Sequence, residues 1–194
     1  MKQQALILKH HGKRLTVLEQ SGQRIDVIIS SRYRYQMLSE GVIISYKTKT
    51  KHKDIFFIED PQIEYFPLVF ARENIELMHC LLELSYYFIP IGSSAFGVFD
   101  FFIELYALSD ENSLKQSIML VVKLLVTLGI YPLEKEFQQA VQMVLVTPID
   151  NISQSVLELT QEDLFKRWVQ WCIVDHPYGN FFKAVPVFLK VKRL

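Results

Sequence analysis

The hydrophobic pattern of the chain changes near residue 70. Before that point, short apolar segments recur at intervals of about ten residues, the spacing of strands in small all-β folds. They are "ALILKHH" (5–11), "RLTVLEQ" (14–20), "RIDVIIS" (24–30), "GVIISYKTKTK" (41–51) and "DIFFIED" (54–60). Gly12 with Lys13, and Ser21 with Gly22, supply turns between the first three segments. Four or five short strands joined in this way predict that residues 1–68 form a small antiparallel β-barrel of the OB type.

From Ala71 onward the apolar residues recur with the period of an α-helix. The pattern predicts five helices, which cover 71–88, 94–108, 113–128, 133–146 and 160–172. Ser113 and Thr160 are typical N-cap residues, and Gly129 is typical of a position just after a helix. Residues 177–194 have no clear period, so their conformation is not assigned. The chain is therefore predicted to be α+β, with an OB-like barrel followed by an α-helical domain over residues 71–194.

The charge of the chain divides at the same place. The formal net charge is zero, but residues 1–54 hold eleven Lys and Arg against four Asp and Glu, a net +7. The remainder of the chain is therefore −7. Such an asymmetry indicates two modules with different partners, and a basic module indicates an anionic partner.

A row of lysines at two-residue spacing lies within the basic module. Its members are Lys47, Lys49, Lys51 and Lys53. Side chains alternate between the two faces of a strand, so an extended segment would place all four ammonium groups on one face. One interpretation is a solubilising device, because lysines commonly protect exposed sheet edges. The other is a row of phosphate contacts.

The segment "SSRYRY" (30–35) also alternates and favours the second interpretation. In an extended strand, Arg32 and Arg34 share one face and Tyr33 and Tyr35 the other. Guanidinium groups suit phosphate, and tyrosine rings offer stacking surfaces for unpaired bases. The alternative is a charged strand whose tyrosines belong to the core. The predicted nucleic-acid site comprises Lys13, Arg14, Arg32, Tyr33, Arg34, Tyr35, Lys47, Lys49, Lys51 and Lys53.

Catalytic and metal chemistry find little support in the sequence. The two cysteines, Cys80 and Cys172, form no Cys-x-x-Cys pair, which suits a reducing cytoplasm. Cys172 and His176 could share a helix face, but two ligands do not make a zinc site. The longest apolar run, 118–130, contains Lys123 and is shorter than the about 20 residues of a membrane span. We therefore expect a cytoplasmic protein without catalytic residues, metal, cofactor or membrane partner.

Two segments resemble the RecO family of recombination mediator proteins. The first is "FDFFIELYALSDENSLKQSIMLVVKLLVTLGIYP" (99–132), an aromatic-rich helix, a polar loop and a helix that ends in Leu-Gly and a proline. The second is "ALILKHHGKRLTVLEQSGQRIDVII" (5–29), which is similar to the opening strands of that family. The order of the parts, a small OB-type barrel and then helices, is also that of RecO proteins.

The resemblance implies a non-enzymatic function in DNA repair. It implies binding of single- and double-stranded DNA, annealing of complementary strands, and work with RecR and single-strand-binding protein in loading RecA. This chain is shorter than most RecO proteins and lacks the Cys-x-x-Cys zinc element that many of them carry. The alternative is a protein-interaction adaptor that keeps the RecO-like fold without binding DNA, which the acidic helical half favours.

Overall fold

Five strands form a closed barrel at the start of the chain, and helices follow. The computed structural model describes residues 2–29, 38–52, 55–108, 117–154 and 159–190. The strands are β1 (Gln3–His11), β2 (Arg14–Glu19), β3 (Arg24–Ile29), β4 (Ile43–His52) and β5 (Ile55–Tyr65). Their order around the barrel is β1-β2-β3-β5-β4. The predicted α+β fold with an N-terminal OB-like barrel is thereby confirmed.

One pair of neighbouring strands in the barrel is parallel. β3 and β5 run in the same direction, with Asp26 opposite Ile55 and Ile29 opposite Ile58. The other neighbours are antiparallel. Among the described strands, this pair alone departs from the antiparallel pairing predicted for the barrel, because a parallel neighbour requires a crossover connection that local turn signals do not reveal.

The barrel core follows from the alternation of apolar residues along the strands. Leu15 and Val17 of β2 lie opposite Val27 and Ile25 of β3, and all four are buried in the same cluster. Ile58 of β5 completes this cluster from the parallel neighbour. Full burial of each such side chain contributes about 1.5–3 kcal/mol, so the inward face of each strand is strongly specified.

β5 continues past Pro61, where the sequence pattern placed its end. The register pairs Ser45 with Gln62 and then Lys47 with Glu59, so β5 advances three residues while β4 advances two. This extra residue is a β-bulge, and Asp60 within it has a positive φ of 50°. A proline is tolerated in a strand at such an irregularity because no ladder hydrogen bond is lost.

The helices of the described chain begin with two that replace a single predicted one. They are α1 (Leu68–Glu73), α2 (Ile75–Phe88), α3 (Val98–Ala107), α4 (Ser117–Thr127), α5 (Gln138–Val146), α6 (Ile149–Gln154), α7 (Leu159–Val174) and α8 (Ala184–Phe188). The predicted helix 71–88 is interrupted at Asn74, and the predicted helix 94–108 begins only at Val98. The predicted N-cap Ser113 lies outside the described residues. None of the described helices is both long and apolar enough to cross a membrane.

The chain forms two compact units whose limits cut across the helices. One unit contains residues 1–68 together with 85–100, and the other contains 69–84 with 101–194. The sequence pattern had placed 85–100 in the helical domain. In the second unit, α4 is buried along most of its length and packs against α5, α6 and α7.

Candidate nucleic-acid interface

The described lysines of β4 lie on the outer surface of the barrel. Lys47 and Lys49 are both exposed. Lys47 lies opposite Glu59 in the β4–β5 register, and Lys49 forms an ion pair with the same carboxylate. Residues directly opposite each other share a face, so Lys47, Lys49 and Glu59 form one cluster on β4 and β5.

A β-bulge in β4 interrupts the alternation from which the lysine row was interpreted. Thr48 lies opposite Ile58 and Thr50 lies opposite Phe57, so β4 advances two residues where β5 advances one. Ile58 points into the core and its neighbour Phe57 points outward. Thr48 and Thr50 therefore lie on different faces. The extra residue, Lys49, changes the phase of the strand, so a strict two-residue alternation does not hold along this part of β4.

The β1–β2 turn presents two further predicted residues in different ways. Gly12 adopts a positive φ of 59°, the conformation this tight turn requires, and Lys13 beside it is exposed. Arg14 is about half exposed, with 54% of its side chain accessible, and its guanidinium forms an ion pair with Asp26 of β3. Lys13 is therefore available to a ligand, whereas Arg14 is already engaged by a carboxylate.

The Asp26 carboxylate is buried and well supplied with donors. Thr16 donates a hydrogen bond to it at 2.6 Å, and Arg14 donates to the other oxygen. Burial acts to raise the pKa of Asp26, but the hydrogen bonds from Arg14 and Thr16 and the charges of Arg14 and Arg24 outweigh it, so the pKa lies below its ordinary value. The hydrogen bond and charge of Asp26 raise the pKa of Arg14 in turn.

The outer face of β2 and β3 is closed by a later part of the same unit. Arg24 is buried, and its guanidinium donates hydrogen bonds to the carbonyl oxygens of Tyr86 and Ile89. The same guanidinium lies 4.2 Å from the centre of the Tyr86 ring, and the Lys9 ammonium lies 4.8 Å from it. Tyr86 thus makes cation–π contacts with two strands of the barrel.

Backbone hydrogen bonds fix the closing segment, residues 85–95, to the β2–β3 turn. Arg24 N–H donates to Ser93 O at 3.0 Å, and Gly92 N–H donates to Arg24 O at 2.8 Å. Ala95 N–H donates to Gly22 O at 2.9 Å, and a Cβ on Gly22 would lie 2.8 Å from Ala95 O. The contact therefore needs glycine at position 22. The sequence pattern gave no signal of this contact, because it joins residues more than 60 positions apart.

Some of the predicted site residues cannot be placed on this surface. Arg32, Tyr33, Arg34, Tyr35 and Lys53 lie outside the described residues. Lys51 belongs to β4, in register with Phe56, but its side chain is not described. Of the predicted residues whose side chains the structure describes, Lys47 and Lys49 lie together, and Lys13 and Arg14 lie at the separate β1–β2 turn.

Metal-binding clusters do not occur in the described part of the chain. No group of three or more His, Cys, Asp and Glu residues is close enough there to hold an ion. Cys80 and Cys172 are both buried free thiols. Burial raises the pKa of Cys172 to about 12, so this thiol stays protonated and unreactive near neutral pH.

The fold and this surface together define an OB-like barrel protein with exposed lysines on one strand and a helical unit. Searches of protein-family models and of curated proteins find no match to the chain. The resemblance to RecO proteins, which was inferred from residues 5–29 and 99–132, therefore stays a prediction.

Proposed function

We propose that this protein is a non-enzymatic DNA-binding mediator of recombinational repair, of the RecO kind. The observation that carries the proposal is the position of Lys47 and Lys49, exposed together on a strand of an OB-like barrel. The order of parts, barrel first and helices second, supports the likeness to RecO proteins. OB-like barrels are a recurrent device for binding single-stranded nucleic acid.

The proposed interaction is mainly electrostatic. Lys13, Lys47 and Lys49 contact phosphates, and the net +7 of residues 1–54 attracts the strand from a distance. From the sequence, Lys51, Lys53, Arg32 and Arg34 are proposed as further phosphate contacts, and Tyr33 or Tyr35 as a stacking surface for bases. Phosphate contacts carry no base information, so binding is independent of sequence. Neutralising the charge of two complementary strands reduces their repulsion, which assists annealing without any catalytic group.

The biological role follows the same likeness. The protein binds single- and double-stranded DNA in the cytoplasm and anneals complementary strands. It works with RecR and single-strand-binding protein to load RecA. The acidic remainder of the chain, at −7, is the part proposed to contact protein partners.

A salt series on single-strand affinity tests the proposal. Replacing Lys47 and Lys49 together with Gln keeps side-chain length and removes two positive charges. Each lost phosphate contact should make the log–log slope of affinity against salt shallower by about 0.7, or about 1.4 for both. Fluorescence anisotropy of a labelled oligonucleotide, measured from low to moderate salt, reports the slope.

The matched control replaces Lys135 and Lys183, two exposed lysines of the second unit, with Gln. This variant has the same net charge as the first, but the two lysines that it loses lie outside the proposed interface. Its salt slope should therefore stay that of the unmodified protein. Circular dichroism establishes that both variants are folded. Equal slopes in all three proteins would contradict the proposed interface.

The adaptor alternative is favoured by one observation. The outer face of β2 and β3, which OB-folds commonly use for oligonucleotides, is closed by residues 85–95. An adaptor that kept the fold without DNA binding would show no single-strand affinity even at low salt. The first titration of the unmodified protein therefore distinguishes the two functions.

A further inference from the structure

Residues 85–95 cover the outer face of β2 and β3, whereas part of the outer surface of β4 and β5 is exposed. Exposed side chains follow the second half of β4, from Lys47 to Thr50. Across from them, β5 places the aromatic ring of Phe57 on the surface, with 37% of the residue exposed. The sequence pattern had assigned this residue to a strand and given it no function.

We propose that Phe57 stacks on an unpaired base of single-stranded nucleic acid, at the β4–β5 hairpin instead of the β2–β3 face. The inference rests on the proposed function, and it adds the residue that distinguishes single strands from duplexes. Aromatic rings contribute to such binding in a sequence-tolerant way because every base has a π-face. In a duplex the base faces are already stacked, so Phe57 has nothing to contact.

The strand alternation orients Phe57 outward. Ile58 belongs to the core cluster and Phe56 packs against the same cluster from its partly buried position. Phe57 is next to both, so it points to the opposite face. Its neighbours across the sheet are Thr50 of β4, a small exposed residue, and Ile28 of β3.

The lysines lie close enough to Phe57 to bind the backbone of the same nucleotide strand. Lys47 lies opposite Glu59, which is two residues from Phe57 on β5, a separation of about 7 Å along a strand. The Lys49 ion pair with Glu59 brings a second ammonium group to the same face. A ring for the base and ammonium groups for the phosphates form the combination that single-strand-binding surfaces use.

Glu59 sets the charge of this surface. With Lys47 and Lys49 it leaves a net +1, and its carboxylate competes with a phosphate for the Lys49 ammonium group. We therefore expect Glu59→Gln to raise single-strand affinity, because the displaced ion pair is removed and the repulsion of phosphate disappears. A lower affinity in this variant would contradict a phosphate position beside Lys49.

The decisive experiment replaces Phe57 with Leu and, separately, with Trp. Leucine keeps the apolar contact but lacks a π-face, so affinity for oligo(dT) should fall by about ten-fold with an unchanged salt slope. Tryptophan should keep or raise the affinity. Binding to a duplex of the same length should not change in either variant. Oligo(dT) carrying one 2-aminopurine should lose fluorescence on the unmodified protein, and less on the leucine variant.

Phe96→Leu is the matched control, since Phe96 is 80% exposed and belongs to the same unit. Its affinity should equal that of the unmodified protein. An equal loss in the Phe57 and Phe96 variants, or no loss in Phe57→Leu, would overturn the inference. The proposed function itself is contradicted by a different result, namely that the unmodified protein does not bind single-stranded DNA at low salt. If the salt slope of affinity depends on Lys47 and Lys49 but Phe57→Leu leaves the affinity unchanged, only the stacking by Phe57 is refuted.

Discussion

Asp26 joins β2 to β3 through side chains in addition to the ladder of backbone bonds. It lies opposite Thr16 in the register and accepts hydrogen bonds from Thr16 and Arg14. Only 4% of its side chain is exposed, so a lost donor would leave an uncompensated buried charge. The sequence pattern had assigned Arg14 to phosphate binding, and its partner, ten or more residues away along the chain, could not be deduced from spacing.

Asp26→Asn tests this carboxylate through the pH dependence of stability. The folded pKa of Asp26 is depressed, so its contribution is fully present above the unfolded pKa of about 3.9 and is lost as pH falls through the folded pKa. We expect the variant to be less stable at neutral pH by roughly 1–3 kcal/mol. The difference should shrink as pH falls below about 4.

Urea unfolding followed by circular dichroism at several pH values measures this effect. Asp163→Asn, which changes an exposed carboxylate of α7, is the control and should show little difference at any pH. The opposite result is a difference in the free energy of unfolding that increases as the pH falls. It would show that the charge of Asp26 destabilises the barrel.

At the scale of elements, the local sequence pattern predicts where strands and helices occur, but it does not predict how the strands pair. The strands appear where alternation and turn residues placed them, and α4 lies within the apolar stripe that predicted it. The bulge at Lys49 and the parallel β3–β5 pair depend on how strands meet, which no local period records. The local period also gave no sign of the break at Asn74, which divides one predicted helix into α1 and α2.

Lys123 illustrates how one polar residue is accommodated in an apolar helix. Its ammonium group donates hydrogen bonds to the carbonyl oxygens of Val144, Leu145 and Thr147, at 2.8, 3.1 and 3.0 Å. These carbonyls lie at the end of α5, where helical partners are lacking and a positive charge is favourable. The lysine that interrupts the apolar run 118–130 thus links α4 to α5.

Lys123→Met should lower the free energy of unfolding by roughly 1–3 kcal/mol, because partly buried carbonyls lose their donor while the apolar stem is kept. Lys135→Met, at an exposed position, should change it by less than about 0.5 kcal/mol. Chemical denaturation of both variants measures the difference. Equal stabilities would show that water replaces the Lys123 ammonium at the end of α5.

At the scale of the whole molecule, the barrel unit is not continuous in sequence. Residues 85–100 belong to it, and Tyr86, Ser93 and Ala95 hold the β2–β3 face. The sequence pattern predicted that the barrel ends at residue 68, because the change from strand to helix period is a local signal. A segment that returns to an earlier unit has no such signal, since its hydrogen bonds use backbone atoms that every residue possesses.

A fragment of residues 1–68 should therefore be less stable than a fragment of residues 1–100. Without the closing segment, Arg24 and neighbouring buried residues of the outer face become exposed. We expect the shorter fragment to unfold at a lower urea concentration. Similar midpoints for the two fragments would indicate that the five strands are sufficient by themselves.

The discontinuity also matters while the chain is being made. Translation adds about 5 to 20 residues per second, so roughly 1.5 to 6 s separate the end of β5 at Tyr65 from the emergence of Ala95. Barrels of this size commonly fold within milliseconds to seconds. The nascent barrel can thus be closed while Arg24 and the β2–β3 turn still lack the segment that later covers them.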